Sequence, residues 1–416
     1  MSQQHGFLIS PALFVAVITT TAAVGAVIGR SFLSGGGSSS NNDDNTKKST
    51  EPTTPTLSSV PPVRTGVEGL IGNTPMIKLK SLSEATGCTV LAKMELQNPG
   101  GSAKDRVALA IIESAEQAGL IRPHSGDMVF EGTSGSTGIS LAMLCRAKGY
   151  TAHIALPDDT SLEKVALLEN LGARVYKVRP ASIVDNNQYV NYARNEANKI
   201  NALADAAFAR DGTVLPRALF ADQFENEANW KAHFDHTGPE IYTQTNGGEL
   251  DIFVTGAGTG GTIAGVARYL KSVSARARVV LADPQGSGFY NKVKYNVMFS
   301  PTEREGTRRR HQVDTVVEGI GLNRITANFA RGEPVIDDAV RVTDPEALKM
   351  AKWLVENDGL FVGSSSAVHC VGAYRCAKAL GPGHTVVTII CDSGARHLSK
   401  FWKEVEGVTI NSLDDL

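Results

Sequence analysis

The sequence predicts an α/β body built on parallel sheet, arranged in two domains behind an N-terminal membrane-spanning helix. Three observations carry this expectation. Short, continuous apolar runs alternate with helix-patterned stretches from about residue 63 onward, as strands buried on both faces of a parallel sheet require. That region of roughly 350 residues exceeds one typical core and divides into two. Ahead of it, Phe7–Ile28 carries no charged residue, and as a helix it would reach about 33 Å, enough to cross a bilayer core.

In chain order, residues 1–6 form a short tail and residues 7–28 the expected transmembrane anchor. The segment lacks the basic start of a signal peptide and the arginines of a matrix-targeting peptide. Arg30, Lys47, Lys48 and Arg64 all follow it and no Lys or Arg precedes it, so the positive-inside rule leaves the body facing the cytosol. Residues 29–62 are rich in Gly, Ser, Asn, Thr and Pro and read as a flexible linker. Residues 63–416 form the body. Its strand candidates are Met128–Glu131, Thr151–Leu156, Arg174–Val178, Ile252–Thr255, Val279–Ala282 and Val386–Ile390. Helical patterns cover Ala108–Ala118, Ile139–Lys148, Leu162–Leu171, Gly261–Leu270 and Pro345–Glu356.

Composition excludes several classes of protein. Lys and Arg number 41 against 43 Asp and Glu, a net charge of −2, and 6% of residues are aromatic. No basic field points to nucleic acid, and few stacking platforms are available for it. Arg308-Arg309-Arg310-His311 is isolated and reads as a solvated loop. Five scattered cysteines without a C-x-x-C pair argue against a disulfide framework and a zinc site. His233-x-x-His236 has no companion ligand and reads as an exposed polar stretch, so no metal is expected. Cys391 reads as a buried structural thiol.

Ligands of parallel sheets bind beyond the carboxyl ends of the strands, and three loops there are unusual. Gly256-Ala-Gly-Thr-Gly-Gly-Thr262 leads from a strand into a helix, and its amides and hydroxyls suit a phosphate. With Asp283 about 20 residues on, it also matches a dinucleotide fingerprint, which keeps a nicotinamide oxidoreductase open as a rival. A tight turn without ligand is the other reading. Glu131-Gly-Thr-Ser-Gly-Ser-Thr-Gly138 again precedes a helix and suits a carboxylate. In Asn98-Pro-Gly-Gly-Ser-Ala-Lys-Asp-Arg106, Lys104 begins a helix, where the macrodipole disfavours a cation and lowers the amine's pKa. An ordinary exposed lysine is the alternative there.

Taken together, N-P-G-G-S-x-K-D-R, T-S-G-x-T-G and G-x-G-T-G-G-T resemble the cysteine synthase and cystathionine β-synthase family, the fold-type II pyridoxal phosphate enzymes. Ile71–Leu79, Asp222–Asn229, Gly319-Ile320-Gly321 and Ser393-Gly394 match as well, so the resemblance runs from about Val67 to Phe401. The anchor, the linker and the Thr302–Arg310 insertion resemble the family's membrane-anchored fungal branch. The resemblance implies two domains, each with a mainly parallel twisted sheet flanked by helices, the smaller at about 107–215. It also implies pyridoxal 5′-phosphate as cofactor, an amino acid substrate with sulfide, a homodimer, and a mitochondrial outer membrane location, with the endoplasmic reticulum as alternative.

By the same resemblance, Lys104 would bond the cofactor and shuttle the α-proton. Gly258, Thr259, Gly260 and Thr262 would hold its phosphate, and Ser393, unless displaced by Asp392, would face the pyridine nitrogen. Thr133, Ser134, Ser136, Thr137 and Gln223 would grip the substrate carboxylate, Ser136 would also touch the cofactor, and Gly319 would border the pocket. The family usually carries Asn where this chain has Ser136, which implies a substituting water or a shifted substrate preference. The implied activity is formation of L-cysteine from O-acetyl-L-serine, or a related O-acylserine, and sulfide. A serine or threonine deaminase and a cystathionine-forming synthase are alternatives within the family, and an inactive tethered binding protein is one outside its chemistry.

Overall fold

The computed structural model describes residues 61–299 and 315–416. Among the described residues ten strands form two sheets. The larger contains β1 (Met76–Lys78), β2 (Thr89–Met94), β7 (Ile252–Thr255), β8 (Arg278–Pro284), β9 (Asp338–Val342) and β10 (Thr385–Ile390). Its spatial order is β1-β2-β10-β7-β8-β9. Only the β1–β2 pair is antiparallel, while β10 is inserted in parallel between β2 and β7. The smaller sheet orders β5 (Arg174–Val178), β4 (Thr151–Pro157), β3 (Met128–Gly132) and β6 (Ala218–Phe220), all parallel. Pro62–Leu416 packs as one unit.

Both sheets are covered on both faces, which explains the continuous apolar runs. Val254, Val280, Ala282 and Ile390 enter one core, and their neighbours Phe253, Val279, Leu281 and Ile389 enter the core on the opposite face. In the small sheet Val129 and Ile154 face one cluster, while Phe130 and Ala155 face another. The six expected strands are present within a residue or two of their expected ends. The helix expected at Ala108–Ala118 starts earlier, at Lys104, and the one expected at Ile139 starts at Ser136.

The expected membrane helix needs correction. Among the described residues no helix is long and apolar enough to cross a membrane, and the fold they form is the two-sheet α/β body. The segment 7–28, the linker at 29–62 up to residue 60, and the insertion Thr302–Arg310 lie outside the described residues. The cytosol-facing membrane location, whether in the mitochondrial outer membrane or the endoplasmic reticulum, rested on that helix and is withdrawn with it.

Candidate active site

Behind β2, Asn98–Ala103 turns into the helix Lys104–Gln117. Gly101 N–H donates to the Asn98 carbonyl at 2.7 Å. The next two motif residues brace this turn from opposite sides. Asp105 accepts from Gly100 N–H and from the Ser140 hydroxyl, each at 2.5 Å, and so ties the turn to the helix Ser136–Lys148. Burial pushes the Asp105 carboxyl up to about 6. Arg106 enters a buried ion network, 2.7 Å from both Glu95 and Glu240, and Glu240 also meets Lys93 at 2.6 Å.

Lys104 is left half-buried at the head of the helix. Burial lowers its amine's pKa, opposed by the nearby Asp392 carboxylate. The direction is the one argued from the helix dipole, and its cause here is desolvation. The end of β10 lies alongside: Ser102 pairs with Asp392 in an isolated bridge, and Ala103 N–H donates to the Cys391 carbonyl at 3.3 Å. The Asp392 carboxylate lies 3.0 Å from His397 Nε2, while the Ser393 hydroxyl accepts from Ala395 N–H at 3.3 Å and keeps its own proton to donate. Burial pushes the Cys391 thiol up to about 12, so it is no thiolate at neutral pH.

At the end of β3, the Thr133 hydroxyl accepts from Gly135 N–H at 3.2 Å, with Ser134 and Ser136 half-buried beside it. The Thr137 hydroxyl donates to Gln223 Oε1 at 2.6 Å. Behind them lies Glu131, whose carboxyl is pushed up to about 8 by burial and by the nearby Asp222. Ser136 Oγ accepts from Arg396 at 3.3 Å, and the same guanidinium donates to the Gly100 carbonyl. Arg396 therefore joins the Lys104 turn, the Ser136 helix and the turn after β10.

The third loop follows β7 and opens the helix Gly261–Val273. Here backbones approach too closely for side chains. A Cβ on Gly258 would lie 2.2 Å from the Gly319 carbonyl, and one on Gly260, at φ +84°, would lie 2.6 Å from Phe329. The Thr262 hydroxyl lies 3.1 Å from His233 Nε2, and His233 Nδ1 lies 3.0 Å from Thr237. His233 is thus buried rather than part of an exposed stretch, and burial lowers its pKa to about 3. Asn229 Nδ2 links the loops, donating to Thr259 Oγ1 at 2.9 Å and to the Gln223 carbonyl at 2.7 Å.

These residues fit a flat cofactor bearing a phosphate and a reactive carbonyl. Neither cradle helix carries an acid in its first turn, so each leaves its positive end for an anion, and Lys104 supplies a desolvated amine. Asp283 does not suit a ribose: it is fully buried and accepts from Tyr290 N–H at 2.7 Å. Sequence reasoning missed Glu131, Asn229, His233 and Arg396 as members of this site. Each lies within or beside a quoted motif, but only the fold shows what it touches.

Comparison with known proteins agrees with this geometry. The family described as "Pyridoxal-phosphate dependent enzyme" matches residues 67–392. A cysteine synthase 2 of Emericella nidulans is 59% identical over 86% of this chain and 84% of its own length. Cystathionine beta-synthase of Mus musculus is 35% identical over 83% of this chain and 56% of its own. The crystal structure of O-ureido-L-serine synthase is 30% identical with a TM-score of 0.65, covering 85% of this chain and 99% of that one.

Proposed function

Because the chain belongs to the pyridoxal-phosphate dependent enzyme family, on its cysteine synthase and cystathionine β-synthase side, we propose that it forms L-cysteine by β-replacement, from O-acetyl-L-serine or a related O-acylserine and sulfide. The observation that carries the reading is Lys104, a desolvated amine at the meeting point of the Ser136 loop and the turn after β10. High identity to a protein named cysteine synthase 2 supports cysteine formation over deamination or cystathionine formation.

Pyridoxal 5′-phosphate, when bound, supplies an electron sink that lets the α-proton and then the β-substituent leave. The roles of the chain's own residues follow from their chemistry. Lys104 would hold the cofactor covalently and, once released, accept the α-proton at Nζ, a task that its lowered pKa suits. Gly258, Thr259, Gly260 and Thr262 would hold the phosphate at the head of the helix Gly261–Val273. Ser393, with its hydroxyl proton free, would face the ring nitrogen, since Asp392 is engaged by His397. Thr133, Ser134, Ser136, Thr137 and Gln223 would hold the substrate carboxylate, with Ser136 also against the cofactor and Gly319 at the pocket edge. Acetate would leave with the C–O bond pair, hydrosulfide would form the new C–S bond at the β-carbon, and Lys104 would return its proton to the α-carbon. The family resemblance also supports pairing of two chains.

The test is the visible absorption of the purified holoprotein. We expect its band to shift on adding O-acetylserine, to return on adding sulfide, and L-cysteine to accumulate. Lys104→Ala should lower turnover by more than about a thousandfold. Sulfide-dependent cysteine formation surviving in that variant overturns the assignment.

A further inference from the structure

We infer that Glu131 is a positioning residue for substrate binding: it fixes the Gln223 amide so that one N–H is left for the amino acid carboxylate. The inference rests on the reading above for the role of Gln223.

The three side chains form a buried line. Gln223 Nε2 donates to Glu131 Oε1 at 3.2 Å, and Gln223 backbone N–H donates to Glu131 Oε2 at 3.4 Å. On the other side of the amide, the Thr137 hydroxyl donates to Gln223 Oε1 at 2.6 Å. Glu131 is 0% exposed, Thr137 2% and Gln223 4%, so bulk water does not substitute for any of these partners. The backbone of Gln223 is held separately, its carbonyl accepting from Asn229 and Asn328 at 2.7 and 3.2 Å. The residue is therefore anchored, and its amide has one torsion left to settle.

Glu131 settles it. Above about pH 8, the value to which burial pushes it, Glu131 is ionised and only accepts, so turning the amide over would then set Gln223 Oε1 against Glu131 Oε1, two acceptors in a dry site. In the observed orientation one Nε2 proton is spent on Glu131, and the amide's second proton remains to be given. Thr137 spends its hydroxyl proton inward, on Gln223. It then has only its backbone N–H to offer an anion, at the head of the helix Ser136–Lys148. The substrate carboxylate would thus meet N–H donors from both residues.

Glu131→Gln tests this with no change in volume. A glutamine at 131 donates as well as accepts, so its Nε2 can bond a reversed Gln223 amide, whose own Nε2 then bonds Thr137 Oγ1. Both orientations become satisfied and the selection is lost. In the variant holoenzyme, with initial rates and binding measured near pH 9 where wild-type Glu131 is ionised, we expect KM for O-acetylserine to rise about tenfold, the loss of one hydrogen bond to a charged group. We expect kcat to stay within about threefold and the cofactor content and melting temperature to be unchanged. The Kd for L-alanine, an unreactive amino acid probe, should weaken in parallel by calorimetry. In a Gln223→Ala background the same substitution should cost less than about twofold. An unchanged KM and Kd, or an equal cost in both backgrounds, overturns the role. If Glu131→Gln does not fold, Glu131→Asp draws the acceptor back by one methylene and should raise KM with kcat held; an unchanged KM then overturns it. Wild-type protein that binds L-alanine but does not turn over O-acetylserine defeats the proposed reaction, while the Kd comparison still decides the role of Glu131.

Discussion

The two anion cradles of this molecule are built in opposite ways. After β7, the loop is made of backbone pressed against backbone: the Gly319 carbonyl lies where a Gly258 side chain would begin, and Phe329 closes over Gly260. After β3, the loop is made of hydroxyls, with Ser134 and Ser136 half-buried, and behind it stands a layer of ionisable and amide side chains, Glu131, Gln223 and Arg396. The first cradle has no room to adjust. The second is set by side-chain hydrogen bonds, each removable without moving the chain. The roles proposed for them, one holding a cofactor that stays and the other a substrate that exchanges, ask for that difference, because tight packing favours permanence and a small set of directional bonds favours turnover with selectivity.

Substitutions sharpen the contrast, beginning with the largest effect. Gly258→Ala forces the loop after β7 away from Gly319, and overpacking of this kind has no flexible neighbour to absorb it. We expect the purified variant to hold less than about a tenth of the wild-type cofactor per chain, read from its visible absorption. Near-stoichiometric cofactor would show that the loop yields after all.

In the adjustable cradle, Arg396→Met removes the donors to Ser136 and to the Gly100 carbonyl. A fall in kcat/KM of about tenfold is expected, with cofactor content preserved. Loss of cofactor instead would place Arg396 with the rigid cradle.

The smallest effect concerns Asp283, whose fully buried carboxyl is raised by burial from its ordinary 3.8 to about 7. A carboxyl whose folded pKa is raised takes up a proton on folding, so its contribution to stability is full below about pH 4 and is lost as pH rises toward 7. Asp283→Asn carries no such dependence. The melting temperature of the variant relative to wild type should therefore climb between pH 5 and pH 7.5, and a difference flat across that range would mean the carboxyl is ionised throughout.

Much of this was legible in the sequence where geometry follows from local chemistry. Strands buried on both faces announce themselves as unbroken apolar runs, and β7 begins and ends where its run does. Glycine-rich turns before helices marked all three loops. Other elements gave no such signal. The helix Tyr189–Asp211 buries mostly alanines, among them Ala193, Ala197, Ala204 and Ala207, which carry too little apolar contrast to show a period. The three-residue strands β1 and β6 are too short for any pattern. In the site, Lys104 and Gln223 were found by motif, but Glu131, His233 and Arg396 act through partners tens to hundreds of positions away, and no spacing rule reports such pairs. Asp105 and Arg106 sat in the most specific motif of all, yet they brace the turn and do not enter the proposed chemistry.

The position of β10 has a consequence for how the protein is made. This strand is translated after every other strand and yet lies in the middle of the large sheet, with β2 on one side and β7 on the other. A nascent chain leaving the ribosome can close the small sheet early, because β3 to β6 are consecutive. The large sheet, by contrast, stays split, with two sticky edges waiting for residues 385–390. Chaperone demand during synthesis should therefore fall on the large lobe, and ribosome stalling before residue 385 should yield a protease-resistant fragment from the small lobe alone.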